Sequence, residues 1–210
     1  MLPPFHSTLF EGRVISMLNR ESGLYSPAHV QPEPVGDLLL GARTEERVID
    51  ARAFRDALGH YASGITVITG IDGQGPIGFT CQSFYSVSTA PPLISFSVMK
   101  TSATYPRIQR AGAFAVNVLA RDQQNVSNQF AKSGTDKWAG IGWSRTGAGT
   151  PVLDNSVMWL DCEIWAEHDA GDHLIVLGRV NEMSPVDQRP NDPLLYYKGQ
   201  YRHLNPDNAA

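Results

Sequence analysis

The stretch GIDGQGPIG, residues 70–78, contains the first residues whose spacing suggests chemistry. Gly73, Gly75 and Gly78 match G-x-G-x-x-G, the pattern of loops that bind a dinucleotide pyrophosphate. Such a loop follows a strand, its third glycine opens a helix, and an acidic residue about 20 positions further on holds a ribose hydroxyl. The β-like run GITVITG provides the preceding strand.

The other two requirements of the dinucleotide loop are not met. Pro76 and the β-like run IGFTCQSF stand where the helix should begin, and no Asp or Glu occurs between Gly78 and Arg121. Asp72-Gly73 is instead a strong hairpin signal between two β runs. The sequence therefore predicts a hairpin here and not a Rossmann loop.

The absence of acids from residues 79–121 is a second chemical signal. The segment has four cations (Lys100, Arg107, Arg110 and Arg121) and many neutral donors: Thr80, Gln82, Ser83, Ser86, Ser88, Thr101, Ser102, Thr104 and Asn117. Such a segment could bind an anionic ligand through neutral donors and a few cations. A solvated sheet face that lacks acids by chance is an equally good interpretation of the composition.

The third stretch is HDAGDH, residues 168–173, which contains atom types that bind metals. His168, Asp172 and His173 could be ligands, but no other dense ligand cluster supports them, and a plain hairpin turn explains the stretch as well. Cys81 and Cys162 form no CxxC pair and are interpreted as reduced thiols. We therefore predict no metal.

The elements that would position these residues are mostly strands. A helix is predicted from a cap at Asp50 through Phe54, Leu58 and Tyr61 to an end at Gly64. Short β-like runs follow at 65–69, 77–84, 93–99, 113–119, 157–168, 173–183 and 194–204, with a polar helical stretch from Gln123 to Phe130. Strands in series with few helices predict a mainly β fold, a closed antiparallel barrel.

Length and composition restrict the class of protein further. The 210 residues suffice for one domain, which we place at 50–204 between an N-terminal extension (1–49), an irregular segment or an arm on a partner subunit, and a C-terminal tail (205–210). The net charge of −4 gives no attraction to nucleic acid or to an anionic membrane. No apolar run approaches the roughly 18 residues of a membrane span, and the N-terminus lacks the pattern of a secretory signal. We expect a cytoplasmic protein.

Several motifs, in this order, resemble one known family. They are GFTCQSFYSVSTAPPLISFSVMKTSATYPRI, FAVNVL, GDHLIVLGRV and PLLYYKGQY, which span roughly residues 50–204. The resemblance is to the flavin reductase-like domain family, the small reductase components of two-component flavin-dependent monooxygenases. It implies an FMN-binding type of split β-barrel, usually homodimeric, which reduces FMN or FAD with NADH or NADPH and releases reduced flavin to a separate oxygenase.

The resemblance also implies which residues form the site. The isoalloxazine ring would lie against Gly78, Phe79, Thr80, Gln82 and Ser83, and the phosphate side against Ser97, Val98, Met99, Lys100, Ser102, Ala103 and Thr104. Phe130 and Ala131 would contact the rest of the flavin nucleotide, Gly171, Asp172 and His173 the nicotinamide nucleotide, and Tyr201 would close the site. Small residues let backbone amides approach a flat ring, and hydroxyls and a lysine suit a phosphate.

The resemblance makes His173 the candidate catalytic residue, because the HDAGDH turn would place it over the nicotinamide. Its imidazole could donate a hydrogen bond or a proton at the ring edge, or could only hold the end of the strand. Two alternatives to a reductase remain open. One is a flavin-binding store or sensor without turnover, and the other is a pyridoxamine-phosphate-oxidase-like or ferric-reducing relative.

Overall fold

The computed structural model describes residues 48–185 and 192–205. Within them the chain forms three helices: α1 Ala51–Leu58, α2 Tyr105–Ala111 and α3 Gln124–Ala131. The twelve strands of the same residues are β1 Ser63–Gly64, β2 Thr66–Asp72, β3 Gly75–Cys81, β4 Tyr85–Thr89, β5 Pro92–Met99, β6 Ala113–Val118, β7 Trp143–Arg145, β8 Pro151–Leu153, β9 Met158–Ala170, β10 His173–Met183, β11 Leu195–Tyr197 and β12 Gln200–Arg202. The extension predicted at 1–49 lies outside the described residues except for its last two positions, and the tail predicted at 205–210 except for its first.

Helix α1 begins where its sequence predicts and ends earlier. The Asp50 carboxylate accepts a hydrogen bond from the backbone N–H of Ala53 at 2.8 Å, which caps the first turn. The helix ends at Gly59, whose N–H bonds to the carbonyl of Arg55, so the predicted end at Gly64 is wrong. Gly64 lies instead in strand β1.

The glycine-rich stretch is a hairpin, as predicted. Strands β2 and β3 pair antiparallel, with Asp72 opposite Gly75, and Gly73-Gln74 forms the turn between them. The Asp72 carboxylate accepts the N–H of Gln74 at 2.9 Å, the side-chain bond that favours Asp before such a turn. Gly78 lies within β3, where a Rossmann loop would begin its helix.

Seven of the described strands form one antiparallel sheet in the order β3-β2-β6-β9-β10-β5-β4. The two ends of this sheet approach each other after β3, where the Ser83 hydroxyl donates to the carbonyl of Ser97 at 3.0 Å and accepts its N–H at 2.8 Å. Since Ser97 belongs to β5, this clamp joins opposite ends of the sheet. The fold is a split β-barrel.

The buried apolar side chains form two clusters. Phe96 and Phe114 are fully buried and meet edge to face, with ring centroids 5.2 Å apart. A second cluster, around Ile65, Leu119 and Phe130, fills the space under α3 and β11. The buried side chain of Asn117 is satisfied: its amide donates to the Val67 carbonyl and accepts the N–H of Leu153.

The structure contains several elements that the sequence pattern does not indicate. Helix α2 and the strands β4, β7 and β8 were not predicted, and the single run predicted at 194–204 is a hairpin of β11 and β12. The turn of that hairpin contains Lys198 and Gly199, which both have positive φ, 50° and 73°. Helix α2 has only two buried residues, Tyr105 and Ile108, too few to produce a helical period in the sequence.

Arg107 of α2 ties this helix to the β2–β3 hairpin. Its guanidinium binds the Asp72 carboxylate through two hydrogen bonds of 2.7 and 2.8 Å. This hydrogen-bonded ion pair, with help from the Gln74 N–H, lowers the pKa of Asp72 from its ordinary 3.8 to about 2. A carboxyl whose pKa is lower in the folded state stabilises the fold above its unfolded pKa and ceases to do so as the pH falls through the folded value.

We therefore expect Asp72→Asn to lower the melting temperature at neutral pH, with a difference from wild type that shrinks as the pH falls from about 4 towards 2. The measurement is thermal unfolding by circular dichroism across this pH range. Asp122→Asn is the control, because Asp122 is exposed and forms no ion pair with another described residue. A difference that stays constant with pH would contradict the assigned role of the Asp72 carboxylate.

Candidate functional site

A cleft of about 620 Å³ lies where β3, the segment after β5, the end of α3 and the start of β10 meet. Its wall consists of Phe79, Thr80, Cys81, Gln82, Ser83, Ser97, Val98, Met99, Thr101, Ser102, Ala103, Thr104, Phe130, Ala131, Ser133, Gly134, Lys137 and His173. A volume of this size is typical of a site for a small organic ligand or cofactor. A hollow of about 630 Å³ beside α1 and the β11–β12 hairpin is as large but contains only Gln82 of the predicted site residues, so the cleft is the candidate functional site.

Most of the predicted site residues meet at this cleft although they come from four separate segments. These residues are Phe79, Thr80, Gln82, Ser83, Ser97, Val98, Met99, Ser102, Ala103, Thr104, Phe130, Ala131 and His173. Their roles toward a ligand remain predictions. The structure adds that all of them line one cleft, Phe130 from a fully buried position beneath its wall.

Gly78 lies behind this surface. A Cβ on Gly78 would be 2.8 Å from Cε1 of Phe130 and 2.9 Å from the carbonyl oxygen of Ile68, so only glycine fits. Gly78 lines a neighbouring hollow of about 290 Å³, which shares Ala103, Thr104, Gly134 and Lys137 with the cleft. The absence of a side chain at Gly78 makes room for the ring of Phe130.

Lys100 is not on the cleft wall. Its ammonium binds the Asp169 carboxylate at 2.7 Å, and its backbone N–H bonds to the carbonyl of Asp172. The Lys100 ammonium lowers the pKa of the Asp169 carboxyl. A phosphate ligand would have to compete with Asp169 for this side chain.

Two of the other cations in the acid-free segment also have acidic partners from elsewhere in the chain. Arg107 binds Asp72, and Arg121 lies 3.5 Å from Asp192. A lack of acids along residues 79–121 therefore did not mean that their cations were free. Segments distant in sequence provide the carboxylates.

The HDAGDH stretch forms the tight turn between β9 and β10. Ala170 pairs with His173, and Gly171 takes a positive φ of 67° in the turn between them. His173 Nδ1 lies 2.7 Å from the Asp172 carboxylate, and the hydrogen bond and charge of His173 lower the pKa of Asp172. Of the two, only His173 lines the cleft, and the Asp172 carboxylate contacts its imidazole from outside the wall.

This turn is not part of a metal cluster. Among residues 48–185 and 192–205, no three His, Cys, Asp or Glu side chains are grouped so that they could bind a metal ion. In the same residues no helix has the length and apolar character of a membrane span.

Tyr201 does not line the cleft, and its hydroxyl contacts helix α3 instead. Its hydroxyl lies 2.9 Å from Ser127 Oγ and donates to Asn128 Oδ1 at 2.8 Å, which fixes β12 to α3. The carbonyl of Ser127 accepts the Thr80 hydroxyl at 2.6 Å, which fixes α3 to β3. Tyr201 therefore acts on the cleft through α3.

Three hydroxyls of the wall have structural partners. The Thr80 and Ser83 hydroxyls donate to the carbonyls of Ser127 and Ser97. Ser102 Oγ accepts the N–H of Tyr105 at 3.1 Å, which leaves its proton available to a ligand. The Thr104 hydroxyl does not cap α2. The segment 101–104 is therefore the better source of hydroxyl donors.

Sequence reasoning did not assign five wall residues: Cys81, Thr101, Ser133, Gly134 and Lys137. Burial raises the pKa of the Cys81 thiol, which agrees with low reactivity. Lys137 is the more informative omission. It follows Phe130 in the segment NQFAKSGTDKWAGI, and a cation seven positions beyond a predicted site residue was the available signal.

The fold and the cleft define a split-barrel protein with a polar, acid-free ligand site, and comparison with known proteins specifies the family. The flavin reductase-like domain model matches residues 58–205. The chain is 45% identical over 162 residues to the flavin-dependent monooxygenase reductase subunit HsaB of Rhodococcus jostii, covering 77% of this chain and 82% of that protein. This chain belongs to the flavin reductase-like domain family.

Solved structures agree with this assignment. A homolog of nitrilotriacetate monooxygenase component B from Mycobacterium thermoresistibile is 40% identical with a TM-score of 0.73, covering 76% of this chain and 89% of that one. The NADH:FAD oxidoreductase SgcE6 of Streptomyces globisporus, solved with NAD and FAD fragments, is 31% identical with a TM-score of 0.71, covering 76% and 95%.

The chemistry of the wall fits a flavin nucleotide. The wall, as formed by the described residues, contains no Asp or Glu, and it combines hydroxyl donors with Lys137 and His173. Apolar surface from Phe79, Val98 and Met99 lies beside these donors. A flat ring needs the apolar surface, and an anionic phosphate needs the donors without competing negative charge.

Proposed function

We propose that this protein is an NAD(P)H-dependent flavin reductase, which reduces FMN or FAD and releases the reduced flavin to a separate monooxygenase component. The observation that carries the proposal is the acid-free cleft with His173 at its edge. The names of the relatives, which include monooxygenase reductase subunits and an NADH:FAD oxidoreductase, support it.

A flavin held by the cleft residues would supply the redox chemistry, as the acceptor of a hydride from the nicotinamide co-substrate. The protein's part is to hold two flat rings in contact and to keep water away from them. In the proposed arrangement, Phe79 and the backbone of 79–83 contact one ring, and the side chains of 101–104 bind the phosphate. His173 lies at the opening, where its imidazole contacts and orients the nicotinamide.

The orientation of His173 is fixed by its neighbour. The Asp172 carboxylate accepts a hydrogen bond from Nδ1, which leaves Nε2 available to a ligand. A protein that only stores flavin has no need for such a held imidazole beside its ring site. The reductase is therefore favoured over the store or sensor.

The test is oxidation of NADH and NADPH, followed at the nicotinamide absorption band, with FMN and with FAD. We expect oxidation that depends on added flavin. The rates of the four combinations of nucleotide and flavin show which nicotinamide nucleotide and which flavin the protein prefers. Flavin binding without oxidation of either nucleotide would leave the store or sensor function. Ferric reduction in the absence of free flavin would instead favour the ferric-reducing alternative.

We further propose that the protein is a homodimer and that α1 contributes to the interface. Phe54, Leu58 and Tyr61 are more than half exposed, at 53%, 57% and 63%, and α1 buries none of its own residues. A single helix of eight residues is marginal in water without packing partners. A second copy of the chain is the proposed partner for this apolar face.

The double substitution Phe54→Ser with Leu58→Ser should convert the dimer to a species of one chain mass, 23.0 kDa. The fold should survive, because neither side chain is buried within its own chain. Light scattering after size exclusion measures the mass. Met183→Ser, at a similarly exposed apolar residue of β10, is the control and should leave the dimer intact. A wild type that is monomeric at micromolar concentration would refute the dimer.

We also propose a cytoplasmic location. Both cysteines, Cys81 and Cys162, are free thiols, as expected of a chain kept in a reducing compartment, and the nicotinamide co-substrates belong to the same compartment.

A further inference from the structure

Lys137 is the one lysine on the cleft wall, and it has no acidic partner among the described residues. Its ammonium donates one hydrogen bond, to the carbonyl of Gly78 at 3.1 Å. An ammonium has three N–H donors, so two of them remain for a ligand. Lys137 lines both the cleft and the neighbouring hollow, at the boundary between the two.

The surroundings of Lys137 favour an anion. Burial lowers the pKa of its ammonium, since the charged form loses hydration without gaining an ion pair. A ligand with negative charge would offset that cost. Asp136, which lines the neighbouring hollow, accepts the backbone N–H of Trp138 at 3.0 Å and does not bind Lys137.

We propose that Lys137, and not Lys100, binds the phosphate of the flavin nucleotide. The inference rests on the proposed function and specifies its phosphate site. Lys100 is held by Asp169, and Arg107, which lines the neighbouring hollow, is held by Asp72. Lys137 shares the wall with Ser102, Thr104 and Ser133, whose hydroxyls complete a donor set for one phosphate group.

FMN and riboflavin separate this role from a structural one, because they differ by the phosphate alone. Binding is measured by flavin fluorescence for the wild type, Lys137→Met and Lys100→Met. Lys137→Met should weaken FMN binding by about 10- to 100-fold, the loss expected for a hydrogen bond to a charged group. Riboflavin affinity should change less than about twofold, and Lys100→Met should leave both affinities unchanged.

Three results would overturn the inference: unchanged FMN affinity in Lys137→Met, an equal loss for FMN and riboflavin, or a loss of FMN affinity in Lys100→Met. Equal losses would mean that Lys137 only tethers its loop to Gly78. Should Lys137→Met fail to fold, Lys137→Gln keeps a donor for the Gly78 carbonyl and is measured instead. Wild-type protein that binds none of riboflavin, FMN and FAD would refute the proposed function and this inference together. An FMN affinity insensitive to Lys137 would refute the inference alone.

Discussion

His173→Ala should slow the reduction of bound flavin by NADH about 100-fold, which is the loss expected when a reacting ring is misplaced by about 1 Å. Flavin affinity should stay within about twofold of wild type. The reason is positional: His173 is the first residue of β10, at the edge of the cleft, while the wall that faces the flavin comes mainly from 79–83, 97–104 and 130–137. Loss of the imidazole therefore removes a contact to the nicotinamide and few contacts to the flavin.

Single-turnover kinetics at saturating NADH measure the reduction rate, and flavin fluorescence gives the affinity. His168→Ala is the matched control, because His168 belongs to the same hairpin and does not line the cleft. It should keep the wild-type rate. Equal losses of rate and flavin affinity in His173→Ala would make His173 a structural residue at the end of its strand.

Asp172→Asn offers a second measurement of the same arrangement. The Asp172 carboxylate is 2.7 Å from Nδ1 of His173 and lies off the cleft wall. The neutral amide weakens the charge-assisted hydrogen bond that orients the imidazole, so the rate of reduction should fall while flavin affinity does not change.

Gly78→Ala should destabilise the fold by about 2–3 kcal/mol, the upper range for overpacking a core, and weaken flavin binding at least about 10-fold through displacement of the cleft wall. The added methyl would lie 2.8 Å from the ring of Phe130 and 2.9 Å from the Ile68 carbonyl. Neither the ring nor the carbonyl can move away easily. Phe130 is fully buried and packs edge to face on Trp138 at 5.0 Å, and Ile68 is paired on both sides within the sheet.

The expected loss of flavin affinity in Gly78→Ala follows from the position of Gly78 behind the cleft wall. Phe130 is a wall residue, and the carbonyl of Gly78 holds the Lys137 ammonium. Chemical denaturation gives the free energy of unfolding, and fluorescence gives the affinity. Gly73→Ala is the control, because a Cβ at Gly73 has no atom within 4 Å and the residue belongs to the same hairpin. A Gly78→Ala variant as stable as wild type would show that Phe130 can move aside without cost.

The family resemblance predicts most of the residues that line the cleft, because its motifs lie on contiguous segments. Residues 79–83 and 97–104 each consist of a strand end and the loop that follows it. A motif that matches such a segment therefore predicts the position of the whole segment. Tyr201 and Lys100, which the same motifs predict as site residues, do not line the cleft. A motif gives the position of the backbone, and the direction of a long side chain depends on neighbours from other segments.

Local sequence also determined where the chain turns and where it forms strands. Asp72-Gly73 specified the hairpin, and Asp50 specified the start of α1, because a short side chain that bonds to the backbone two or three residues away acts within its own segment. The runs at 65–69, 93–99, 113–119 and 173–183 became strands of one sheet for a similar reason: β-branched and aromatic residues fit a pleated, half-buried surface.

Only the tertiary structure decided which charges are free. Lys100, Arg107 and Arg121 belong to a segment without acids, yet the fold brings Asp169, Asp72 and Asp192 to them from distant parts of the chain. Lys137 follows Asp136 in sequence and nevertheless binds no carboxylate among the described residues. The glycine pattern that suggested a nucleotide loop is a hairpin, and the cation proposed for the phosphate donates its hydrogen bond to Gly78 within it. Partners of charged groups are set by distance in space, which the order of residues does not contain.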